Sequence, residues 1–102
     1  MVLTVFRNRL RPDAGEEYGK TLERMLEIVR SMPGYIQHKV YTAGDGERCT
    51  IVEFDTEEHQ RAWSMHAEHI QAKQKGRESF YSEYHLQVCT VQRDTRFPKS
   101  RS

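Results

Sequence analysis

His66 and His69 stand three residues apart, and Trp63, the one tryptophan of the chain, stands three residues before His66. An imidazole titrates near neutral pH, so either histidine suits a general base; the other reading is a surface or helix-capping ring. A metal pair at this spacing needs a third ligand, and no Asp or Glu spacing nearby supplies one, so no metal is expected. On an ideal helix Trp63 shares a face with His59, His66 and Ile70, within about 60° of one another. The indole is then either a core anchor or the wall of a pocket with an N–H to offer. Lys73 lies near both histidines if that helix is continuous, where it would stabilise an anion or be solvated.

A second set of polar side chains sits on strand-like segments. Asn8 shares a face with Phe6 and Thr4, and an amide among apolar neighbours must find a partner or lose stability. Arg9 points to the opposite face, as an interface or rim charge. His38 alternates with Ile36 and Val40, which turns it inward as a satisfied core histidine or a base. Tyr81, Tyr84 and His85 lie on the last strand, where packing is the default and the tyrosines can border a pocket. Gly44-Asp45-Gly46 is a turn without a phosphate-loop pattern.

The elements that must carry these residues read strand–helix–strand twice. VLTVFRNRL (2–10) alternates cleanly, and Pro12-Asp13 ends it. Asp13 with Glu16 forms an acidic capping box for a helix whose stripe is Tyr18, Leu22, Met25, Val29 and Met32, with Leu26 beside it. Pro33-Gly34 stops that helix. A strand over 35–42, a turn at 43–46 and a strand over 48–54 follow. Asp55 with Glu58 repeats the capping signal, so a second helix starts near Thr56, breaks near 64–67 and resumes toward Gly76. The last strand, 80–91, is apolar on both its odd and even positions, which predicts burial on both faces. Residues 93–102 read as a mobile basic tail beyond a single domain over 1–92.

A doubled βαβ of this size predicts an α+β, ferredoxin-like βαββαβ unit with an antiparallel sheet and helices on one side only. The bare sheet face needs a cover. At 102 residues and 36% hydrophobic content, burying more surface favours a homodimer, two sheets packing face to face as a dimeric α+β barrel. The formal net charge of +1 suggests neither a nucleic-acid nor an anionic-membrane partner. No apolar run approaches a membrane span, and residues 1–10 lack a signal peptide's pattern. Cys49 and Cys89, inside strands and without CxxC spacing, read as reduced core thiols of a cytoplasmic protein.

Taken in order, these pieces resemble the antibiotic biosynthesis monooxygenase (ABM) domain over roughly residues 2–92. The resemblance rests on Asn8-Arg9 in the opening strand, Pro12-Asp13-Ala14-Gly15-Glu16-Glu17 at the helix start and Met32-Pro33-Gly34-Tyr35 at its end. It continues through Glu53-Phe54-Asp55, then Trp63 and His69. It implies a pocket between sheet and helices, and a cofactor-independent oxidation of a phenolic or polycyclic aromatic, polyketide-like small molecule by O2. The substrate supplies its own electrons once deprotonated; the protein supplies a base, donors for the developing anion and a dry aromatic slot.

The resemblance points to His69, Asn8 and Trp63 as catalytic, His69 foremost; His66 joins that set as the other candidate base, and Phe6, His38, Tyr81 and Tyr84 are expected to line the substrate. The resemblance also leaves other activities open, because one fold hosts several chemistries. Haem binding and degradation is one: Asn8 and Trp63 resemble two members of its residue set, but Ala72 and Lys73 stand where its iron-ligating histidine would be. A polyketide cyclase or isomerase, or a non-catalytic small-molecule-binding dimer, would use the same pocket.

Overall fold

The computed structural model describes residues 1–98. The chain runs β1 (Val2–Leu10), α1 (Gly15–Ser31), β2 (Tyr35–Thr42), β3 (Arg48–Phe54), α2 (Glu57–Ser64), α3 (Ala67–Lys75), a π-helical turn (Gly76–Phe80) and β4 (Tyr81–Thr90). The four strands form one antiparallel sheet in the order β2-β3-β1-β4. This is the ferredoxin-like α+β arrangement, with the second helical region split in two. No described helix is long and apolar enough to cross a membrane.

Alternation along β1 sorts its side chains as a period of two requires. Val2, Thr4 and Asn8 are buried beneath the helices, while Arg7 is exposed on the other face. Register carries the same face across the sheet: Thr4 pairs with Val52 of β3, and Val2 with Phe54. Phe54 and Val52 meet Ile28 and Val29 of α1 and Trp63 of α2 in the main core. Phe54 is fully buried.

Two chain reversals explain where the helices sit. Gly34 follows α1 at φ +82°, and a Cβ there would collide with Asp55 and His59. Its carbonyl accepts from the Asp55 amide at 2.9 Å, so the end of α1 is sewn to the start of α2. Gly76 opens the π-helical turn, where a Cβ would stand 2.7 Å from the Tyr81 ring. Backbone and aromatic ring can be that close only without a side chain.

Several expectations need correction. The N-cap of α1 is Ala14, with no side-chain cap bond, so the Asp13–Glu16 capping box does not form. At α2 the cap is Thr56, whose Oγ1 accepts from the His59 amide at 3.1 Å; Asp55 instead holds His59 Nδ1 at 2.7 Å. The shared face of Trp63, His59, His66 and Ile70 is also absent. The helix ends at Ser64, so His66 becomes the N-cap of α3 and Ile70 lies within it, and Gln60 is buried with Trp63 instead.

Within the chain β4 is an edge strand, exposed along nearly all its length rather than buried on both faces. Cys89 lies on it and is exposed, while Cys49 is half-buried; both are free. Of the tail, residues 99–102 lie outside the described residues, and residues 93–98 carry neither helix nor strand.

Candidate functional site

Between the sheet and the three helices lies a cavity of about 310 Å³. Its floor is Thr4, Phe6 and Asn8 of β1 with Thr50 and Val52 of β3, and α1 contributes Tyr18, Leu22 and Met25. Tyr84 and Leu86, each 41% exposed, and the exposed Arg77 mark its mouth.

Asn8 is 2% exposed, and its side-chain Oδ1 is buried with no hydrogen-bond partner. A buried amide oxygen left bare costs about 1–3 kcal/mol, so something else must justify it. Its strand neighbours are Arg48 on β3 and Tyr84 on β4. Next along the floor, Gln60 Nε2 donates to Thr4 Oγ1 at 3.3 Å, both groups being buried.

Trp63 and His69 form the opposite wall. Their rings stack with centroids 4.0 Å apart and planes 13° from parallel. His69 Nδ1 lies 3.0 Å from the Trp63 carbonyl. A carbonyl only accepts, so Nδ1 carries the hydrogen and Nε2 carries the lone pair of the neutral ring. Burial pushes this imidazole down to about 4; the Trp63 carbonyl opposes the shift, and the Lys73 and His66 charges add to it. His69 is therefore neutral across the physiological range, an acceptor and a weak base.

The remaining wall is aromatic. Phe6 meets Tyr81 edge-on at 5.4 Å and Tyr84 at 5.6 Å, and Tyr18 meets Phe80 at 5.5 Å and Tyr81 at 5.9 Å. Burial first, then the neighbouring Tyr18, drives the Tyr81 hydroxyl far up, so it stays a protonated donor. The Arg48 guanidinium stands over the Tyr18 ring at 5.4 Å and holds it from outside the cavity. Tyr81 and Tyr84, three residues apart, reach one cavity because the register shifts between Arg9 and Leu10. That irregularity restores the parity a regular strand would deny them.

Of the eight residues expected to act on or line the substrate, six meet at one cavity, Asn8, Phe6, Trp63, His69, Tyr81 and Tyr84, and Lys73 lines it with them. Two do not line it. His66 caps α3, its Nδ1 accepting from the Glu68 amide at 3.2 Å, with its ring 6.2 Å from that of Trp63. His38 lies on edge strand β2 and is held by the Tyr35 hydroxyl at 2.6 Å. Sequence reasoning missed Gln60, Tyr18 and Arg77 as lining residues. A polar residue one turn before Trp63 was a signal for the first; Tyr18, at the open end of the helix stripe, was one for the second. No group of three or more His, Cys, Asp or Glu among the described residues is placed to hold a metal ion.

The fold is shared with solved structures of low sequence identity. Rv0793 from Mycobacterium tuberculosis superposes with a TM-score of 0.80 at 17% identity, over 93% of this chain and 98% of that one. SnoaB, a cofactor-independent oxygenase from Streptomyces nogalater, does so with a TM-score of 0.75 at 14% identity, over 91% and 94%. In sequence, the uncharacterized protein YqjZ of Bacillus subtilis is 32% identical over 83 residues, 81% of this chain and 73% of that protein. The antibiotic biosynthesis monooxygenase family model matches residues 1–75, which take in β1, the helical cover and most of the cavity's floor and walls. The chain belongs to the antibiotic biosynthesis monooxygenase family.

Proposed function

We propose that this chain is a cofactor-independent monooxygenase that oxidises a phenolic or polycyclic aromatic, polyketide-like small molecule with O2. The observation that carries the reading is the pairing of two unused acceptors in one apolar cavity. Asn8 Oδ1 is buried without a partner, and neutral His69, its Nδ1 engaged by Trp63, keeps the Nε2 lone pair. Both await a substrate O–H, and the Asn8 amide nitrogen and Tyr81 hydroxyl are donors for the oxyanion that follows.

For an anthrone the balance closes without an external reductant. The ionised ring gives an electron to O2, and recombination forms a C–O bond at the methylene carbon. Loss of water from that peroxide leaves a carbonyl, so one oxygen atom enters the quinone and the other departs as water with the two methylene hydrogens. The protein excludes bulk water, orients the ring and moves a proton.

The basicity of His69 restricts the substrate. An ordinary phenol near 10 lies about six units above an imidazole at about 4, roughly 8 kcal/mol uphill for complete transfer. The substrate must therefore bear an unusually acidic hydroxyl, one that binds to these acceptors as an O–H and still gives up its proton in the cavity.

Haem fits this cavity poorly. At about 310 Å³ it sits at the small end of ligand pockets, roughly 300–1,000 Å³. Ala72 and Lys73 line it where an iron-ligating histidine would be needed, and the face of His69 is covered by Trp63.

A homodimer belongs to the same proposal. Leu3, Val5 and Ile51, each half-buried in the single chain, lie on the sheet face away from the helices, where a second copy would cover them. Light scattering at micromolar concentration should give twice the chain mass.

The test of the chemistry is oxygen consumption with a panel of anthrones, naphthols and hydroquinones on metal-stripped protein. Uptake one-to-one with quinone, surviving chelation and falling at least tenfold in both Asn8→Ala and His69→Phe, is expected. Uptake no faster than the uncatalysed reaction across the panel would overturn the reading.

A further inference from the structure

We propose that the mouth of the cavity is an anion subsite built by Lys73 and Arg77, and that the ligand is an aromatic acid bound rings inward with its carboxylate at this rim. The aromatic half of the ligand rests on the oxidation reading above. The carboxylate half rests on charge.

No Asp or Glu lines the cavity, whereas Lys73 and Arg77 both do. Among the described residues neither cation has a carboxylate partner: Lys73 Nζ donates to the Ser64 carbonyl at 3.1 Å, and Arg77 Nη1 to the Tyr84 hydroxyl at 3.1 Å. Elsewhere the guanidinium and ammonium groups are commonly paired, as in Arg7–Glu47, Arg9–Asp45 and Arg24–Glu68. What sets Lys73 and Arg77 apart is their place: both line an apolar cavity whose lining has no carboxylate to balance them.

Their placement comes from the backbone. Lys73 lies in the last turn of α3 and Arg77 in the π-helical turn, four residues on, where Gly76 lets the chain close onto the Tyr81 ring. Single π-helical turns of this kind are frequent at functional sites. Like charges at this spacing repel each other, and an anion between them relieves that cost. The field already reaches inward, since the Lys73 charge helps to hold His69 neutral. A guanidinium fork and an ammonium lining one cavity suit a carboxylate, and the half-buried position of Lys73 strengthens the attraction relative to open water.

Calorimetric titration of the full chain with 2-naphthoate and with the neutral, similarly shaped 2-naphthamide tests this. The acid should bind at least tenfold more tightly than the amide, with the gap narrowing at high salt. In Lys73→Gln/Arg77→Gln the acid should lose at least tenfold while the amide is unchanged, and Lys73→Arg should keep the preference. Equal affinities in the unaltered protein, no binding of the acid, or equal loss of both ligands in the double variant would each overturn the subsite. If the double variant does not fold, the acid–amide comparison in the unaltered chain still decides. The two readings fail separately. Oxygen uptake with no preference for the acid removes the subsite alone; a preference for the acid with no uptake on any hydroxynaphthoate removes the oxidation alone.

Discussion

The two faces of β1 treat polar groups in opposite ways. On the helix side Asn8 is buried and its Oδ1 has no partner; one residue on either side, Arg7 and Arg9 project from the other face and are paired. Arg7 meets Glu47 through two hydrogen bonds of 3.2 Å, and Arg9 is shared between Asp45 and Glu83. One strand therefore separates satisfied polar groups, which fix register and solubility, from an unsatisfied one, which in the proposed reaction meets the substrate. An unmade bond in a buried place is the better pointer to function, because folding alone would select against it.

The sharpest way to break that comparison is Asn8→Leu, which keeps the approximate shape and removes the amide. Loss of one aligned polar contact to a developing oxyanion costs about 10²–10³ in turnover. Quinone formation should fall by that factor. An Asn8→Leu protein that turns over normally would place Asn8 with the structural residues.

The location of this strand was legible because alternation with period two needs only the sequence, and Thr4, Phe6 and Asn8 follow it to the cavity floor. The Trp63 wall was harder. Its residue types were visible, but placing His66 beside it assumed a continuous helix, and the break at Met65–His66 moves His66 onto a capping bond. Strict parity fails at both edges of the sheet, although His38 does face inward, opposite Val52, as its alternation predicts. A register irregularity between Tyr35 and Gln37 puts Tyr35 and His38 together at the rim, and another brings Tyr81 and Tyr84 to the same cavity. Bulges arise from pairing with a neighbour strand, which no single segment encodes. The apolar residues of β4 were read as buried on two faces, although Tyr84, Leu86 and Val88 remain 41–50% exposed in one chain.

The next effect is on stability and reports the buried imidazole. His69 titrates at about 4 when folded and near 6.5 when unfolded. Between those values the unfolded chain binds the additional proton, so its contribution is complete above about 6.5 and is lost as pH falls toward 4. The shift amounts to roughly 3 kcal/mol. Denaturant titrations at pH 7 and pH 4.5 should show most of this loss, and His69→Phe should remove most of that pH dependence while the other titrating groups remain. An unchanged slope in the variant would mean that the ring is charged or solvated in the folded chain.

Asn8→Leu also has a smaller, opposite consequence for stability. Because the bare Oδ1 is already a cost, replacing it with an apolar group should leave the fold unchanged or stabilise it by about 1 kcal/mol. A variant more stable yet inactive separates the two roles; one destabilised by several kcal/mol would mean that the amide has a partner in the folded protein.

The smallest effect is expected on the other face. Arg7→Gln removes a pair whose side chains are 46% and 25% exposed. Such solvated pairs contribute about 0.2–1 kcal/mol, because water and side-chain entropy offset most of the attraction. The measured loss should stay below about 1 kcal/mol and shrink further in molar salt. It should also be independent of protein concentration, since in the proposed dimer Leu3, Val5 and Ile51 form the apolar centre and the arginine stays at a wet rim. A loss above about 2 kcal/mol that grows with concentration would show the guanidinium to be desolvated by the second copy. The two faces would then differ less than their pairing suggests, because both would bury polar groups for an occupant that the single chain lacks.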